Sequence, residues 1–198
     1  MGLSNPRIFP EVSYNKQVGT SPLEIWYNAC TMQAAAPVTA TLPINEFHAM
    51  PFVSGRGGTI DRIAFEVTVV GGLGSVARCG IYDSKSDDNF YPNTLIVDSG
   101  EFNTALLGGV GVKSATVSVT LQPNKVYWAV YLCGTSAPTI RRPSNSASSL
   151  LLGHPTTLGA VLNHRLSPGF TYAALPATYP SGANGINGSL GMWMRYSA

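Results

Sequence analysis

Between residues 59 and 133, short strands that alternate large apolar side chains with small or polar ones flank a polar loop, and this period of two limits what the chain can become. In Ile63-Ala64-Phe65-Glu66-Val67-Thr68-Val69 the odd positions are large and apolar, the even ones small or polar. Successive side chains on a strand point to opposite faces, so the pattern describes a sheet with one buried and one wet face. It recurs at Ala77, Cys79 and Ile81, and again at Val117, Val119 and Leu121. The run Val126-Tyr127-Trp128-Ala129-Val130 is apolar on both faces, as a central strand covered on two sides would be. Trp128, sharing a face with Val126 and Val130, is expected in the sandwich core against the strand that carries Val117 and Val119. Turn signals such as Ser54-Gly55-Arg56-Gly57-Gly58, Gly71-Gly72-Leu73-Gly74 and Gln122-Pro123-Asn124-Lys125 separate the strands. Short strands at this spacing point to a sandwich or barrel, and the one-faced alternation to an all-β sandwich.

Composition agrees. Only 11% of the 198 residues are charged, against about 25% in an average domain. Twenty-one glycines and 14 prolines supply the turns. A sparsely charged surface suits a subunit partly covered by other subunits, and a homo-oligomer is expected. The net charge of +2 is too small to imply nucleic acid, and Arg141-Arg142 is the one basic pair. Cys30, Cys79 and Cys133 are odd in number and far apart, which fits neither a disulfide framework nor a zinc site. They are expected to be buried free thiols. The first residues lack the basic start and apolar run of a signal peptide. No run of 18 apolar residues suggests a membrane helix. Synthesis in a reducing cytoplasm and no membrane insertion are expected.

The first 45 residues read differently. Pro6, Pro10, Pro22, Pro37 and Pro43 interrupt them, and proline fixes φ and removes an amide donor. An extended docking arm, with at most edge strands, is expected over 1–45, anchored by Leu23, Ile25, Trp26 and Tyr27, with a β-sandwich head over 46–198. A plain first strand of the sandwich is the other reading of this segment.

Motifs for chemistry are missing. His48, His154 and His164 stand far apart, and the sequence carries no nucleophile elbow, zinc-protease helix, phosphate loop or dinucleotide fingerprint. No enzymatic activity, cofactor or metal is expected. The loop from Asp83 to Asn93 offers the best site, with Asp87, Asp88, Asn89, Phe90 and Tyr91 at its tip. Its oxygens suggest calcium, but Lys85 occupies a ligand position, Asp88 replaces the glycine and Thr94 the glutamate of an EF-hand loop. Phe90 and Tyr91 suit a sugar face or a neighbouring subunit, unless they fold back over the sandwich edge.

In order along the chain, the segments are Phe47-His48-Ala49-Met50-Pro51-Phe52, Ile60 to Val67, Ala77 to Asp83 and Tyr91-Pro92-Asn93-Thr94-Leu95. Val97-Asp98-Ser99-Gly100, Val117 to Pro123, Val126 to Val130 and Ala174 to Pro180 follow. Together they resemble a domain of tailed-bacteriophage virion proteins, especially tail-fibre and minor structural proteins, over roughly residues 46–198. The resemblance implies a jelly-roll-like sandwich used in virion assembly or host attachment, and it transfers no catalytic residue. It further implies a location in the virion, other capsid or tail subunits as partners and a trimeric state. A capsid decoration or cement protein, or a short head or tail fibre subunit, is the expected role. No long fibrous segment precedes residue 46 here, which favours direct attachment to the virion surface. The alternative is a receptor-binding module that recognises a host glycan.

Overall fold

The computed structural model describes residues 26–28, 36–55, 57–86, 89–144, 165–186 and 188–197, with the backbone alone for Trp26–Asn28 and Arg165. Among them the regular structure is strand, apart from a 3₁₀ turn at Leu106–Gly108. The strands are β1 (Trp26–Asn28), β2 (Val38–Thr41), β3 (His48–Val53), β4 (Gly58–Val69), β5 (Val76–Ser84), β6 (Pro92–Asp98) and β7 (Phe102–Asn103). Then come β8 (Gly111–Leu121), β9 (Val126–Gly134), β10 (Thr139–Arg142), β11 (Arg165–Ser167), β12 (Asn184–Ile186) and β13 (Trp193–Tyr196). One sheet runs β1-β13-β4-β10-β2, with β8 on the other edge of β4. The second runs β12-β11-β3-β9-β5-β6, with β7 also on β5. The protein is an all-β sandwich of antiparallel sheets.

The pairing is nested. Val53 of β3 faces Val126 of β9, and Gly58 of β4 faces Leu121 of β8. Further in, Ala77 of β5 faces Phe102 of β7, and Ser84 faces Pro92 of β6. Residues 48–131 thus form one antiparallel ribbon that crosses from sheet to sheet at two corners and ends in the loop between β5 and β6. β9 then pairs along the whole of β5 and closes the second sheet. A ribbon wound back on itself in this way is the jelly-roll arrangement.

Period-two alternation becomes burial. Ile63, Phe65 and Val67 of β4 are at most 1% exposed and face Ala77, Cys79 and Ile81 of β5 across the sandwich. All nine residues of β9 are buried, because each of its faces meets a different layer. Tyr127, Ala129, Tyr131 and Cys133 enter the core between the sheets. Trp128, Val130 and Leu132 enter a second core on the outside of the second sheet, with Phe47 and Tyr82. Residues 166–183 cover that core: Tyr179 stacks on Phe47 at 4.9 Å between centroids, and the Tyr82 hydroxyl donates to Pro176 O at 2.6 Å.

Two expectations need correction. Trp128 is buried, but it does not pack against the strand of Val117 and Val119; Tyr127, Ala129 and Tyr131 occupy that face instead. The pattern of β9 says that both faces are covered and does not say by what. Nor does the sandwich begin at residue 46. β2 pairs with β10 as an edge strand, and Leu42 is 3% exposed in the inter-sheet core. Within the segment expected as an arm, then, residues 38–42 belong to the sandwich, and β1 pairs with β13.

Candidate functional site

The tip of the ribbon is tied to the second core. Lys85 N donates to Tyr91 O at 2.8 Å, and Ser86 N to Asn89 O at 3.0 Å, which continues the hairpin past β5. Asp83 lies in an ion pair with Lys125, 2.8 Å apart, and its other oxygen accepts from Ser84 N. The Trp128 indole N–H donates to Phe90 O at 2.5 Å. Tyr91 donates its hydroxyl to Pro180 O at 2.8 Å, accepts from Ala183 N, and meets Tyr179 edge-on at 5.9 Å. Tyr91 therefore folds back over the sandwich edge. Asn89 is exposed, while Asp87 and Asp88 lie outside the described residues.

Of the four arm residues, Trp26 and Tyr27 are in β1 opposite Arg195 and Met194. Leu23 and Ile25 lie outside the described residues, as do His154, His164 and Cys30. His48 is buried on β3 with Nε2 3.9 Å from the Glu46 carboxylate. Among the described residues no group of three or more His, Cys, Asp or Glu side chains could hold a metal ion, and no helix is long and apolar enough to cross a membrane.

A site that the sequence reading missed stands at the second corner of the ribbon, between β4 and β5 on one side and β7 and β8 on the other. Residues 70–76 and 101–107 enclose a groove of about 640 Å³. Leu73 and Leu107 are each 96% exposed, and Leu106 is 79% exposed. Val69, Val110 and Val112 are also exposed, at the end of the β4–β8 pair where Val67 faces Gly111. Single exposed leucines are ordinary, whereas a contiguous apolar patch marks an interaction surface.

The groove's walls are fixed by polar bonds behind them. Gly71 N donates to Thr104 O at 2.9 Å and Thr104 N to Ser75 O at 3.0 Å. The Ser75 and Thr104 hydroxyls share a buried hydrogen bond of 2.7 Å, and Ser75 also bonds Ser136 O. Two glycines permit this approach. A Cβ at Gly71 would stand 2.1 Å from Ser75 Oγ, and one at Gly108 would stand 2.0 Å from Asn103 O. The leucines are thus held outward on a braced frame. Their sequence signal was available as Leu73 in Gly71-Gly72-Leu73-Gly74 and Leu106-Leu107 before Gly108-Gly109. Glycine marks such stretches as turns and hides the side chains that the turns display.

Fold and site together define a jelly-roll sandwich that presents a preformed apolar groove at one corner. Comparison with protein-family models, curated proteins and solved structures finds no match to this chain.

Proposed function

We propose that the protein is a non-enzymatic virion surface protein of a tailed bacteriophage, a capsid decoration or cement protein or a short fibre subunit. The resemblance of residues 46–198 to virion structural domains points to this class. The observation that carries the assembly role is the braced apolar corner of Leu73, Leu106 and Leu107, a surface for a protein partner. Other capsid or tail subunits, and further copies of this chain, are the partners of this reading. Glycan binding draws less support, because the Tyr91 ring and hydroxyl and the Phe90 carbonyl are engaged within the protein.

The test uses particles from a phage strain in which the gene for this chain is disrupted. Purified full-length protein should bind them saturably on co-sedimentation, and Leu106→Asp combined with Leu107→Asp should reduce occupancy at least tenfold. No binding by the intact protein, together with binding to specific sugars on a glycan array, would replace this reading with the receptor-binding one.

A further inference from the structure

The strand order fixes where the described chain begins relative to the groove. β1 runs parallel to β4, because each is antiparallel to β13. Trp26 lies level with Arg62 through Arg195, and Asn28 level with Ala64 through Trp193. The 25 residues before Trp26 therefore join the sandwich at the Gly58 end of β4. The groove stands past the opposite end, beyond Val69. Trp26, the first described residue, thus stands on the side of the sandwich away from the groove.

We propose that the groove receives the stretch Pro6-Arg7-Ile8-Phe9-Pro10 of a second copy of this chain. Ile8 and Phe9 are adjacent large apolar residues in that segment, and a groove of about 640 Å³ falls in the ordinary range for pockets of roughly 300–1,000 Å³. It takes two side chains, not a helix. Pro6 and Pro10 restrict the backbone on both sides, so less conformational freedom is lost on docking. Among the described residues Glu101 is the one charged residue lining the groove, and Arg7 is the cation next to the Ile-Phe pair. Sixteen residues lie between Phe9 and Trp26 in sequence, and the steps between the two reach at most about 56–61 Å. A segment of that length is long enough to leave its own sandwich for the groove of a second copy.

Arm and groove are different surfaces, so the contact is heterologous and runs head to tail, closing into a ring where the rotation permits. The inference does not depend on the virion reading; it would hold for any chain with this corner and this N-terminal segment.

Complementation tests it, with light scattering on full-length protein. The wild type should be oligomeric at micromolar concentration. Phe9→Asp spoils the arm and Leu107→Asp spoils the groove, and each variant alone should be monomeric. Leu107 is 96% exposed, so Leu107→Asp should keep the wild-type thermal midpoint. An equimolar mixture of the two variants retains one intact arm and one intact groove, and should give a dimer and nothing larger. A monomeric wild type would overturn the proposal and assign the groove to the molecule's own arm or to a foreign partner. An oligomer that survives both substitutions would overturn it in favour of edge-to-edge strand pairing, and a mixture that stays monomeric would overturn it as well.

Discussion

Cys79 and Cys133 show how little a buried thiol needs to be inert. Cys79 faces Tyr131 and Cys133 faces Ala77, so the two sulfurs are diagonal neighbours on one face of adjacent strands. Diagonal positions lie roughly 7–8 Å apart, beyond the usual disulfide span of about 4.4–6.8 Å between Cα atoms. Both cysteines are free. Burial pushes the Cys79 thiol up to about 12 and the Cys133 thiol up to about 11. Raised values mean that their stabilising contribution is whole below the unfolded pKa and is lost as pH rises through the folded one. The thermal midpoint should therefore fall as pH climbs from 9.0 towards 12. At pH 8 a thiol reagent should leave both residues unlabelled in the native protein and label them after denaturation, as read by peptide mapping. Native labelling of Cys79 at the rate of a free thiol would contradict its place in the core.

At the scale of elements, β9 decides the packing. Trp128 is 0% exposed in the second core and its indole donates to Phe90 O. Truncation to Ala should cost about 3–5 kcal/mol, a large share of the roughly 5–15 kcal/mol that holds a domain together. Trp128→Phe keeps a ring and loses the donor, which is worth about 0.5–1.5 kcal/mol. Thermal unfolding should place Trp128→Phe between the wild type and Trp128→Ala. An unchanged midpoint for Trp128→Ala would contradict the burial. The strands themselves were legible from sequence, since period-two alternation needs no tertiary knowledge. What covers each face was not legible. The lid over Trp128 comes from Phe170, Tyr172, Leu175 and Tyr179, which follow no period because they sit in irregular chain. For the same reason Tyr91 read as a loop tip with two open fates, and only the position of Tyr179 and Pro180 decides between them. Leu106 and Leu107 stayed hidden because the glycines beside them mark a turn without saying which way its leucines point.

For the whole molecule, the ribbon winding explains where an apolar surface remains outside. A jelly roll hides its apolar faces between the sheets and, here, under residues 166–183, so an apolar surface left outside stands out against a sparsely charged exterior. The corner between β4 and β5 is such a surface, held rigid by Ser75 and Thr104 and free of side chains at Gly71 and Gly108. Head-to-tail docking of the N-terminal segment on that corner and attachment to a virion are separate proposals, and they can fail separately. The second is tested most directly by counting copies. Under that proposal, quantitative mass spectrometry of gradient-purified phage particles should find this chain at a fixed ratio to the major capsid protein. Hundreds of copies per particle would assign decoration, and a dozen or fewer a fibre or tail component. Particles of full infectivity that contain none of it would contradict a structural role in the virion.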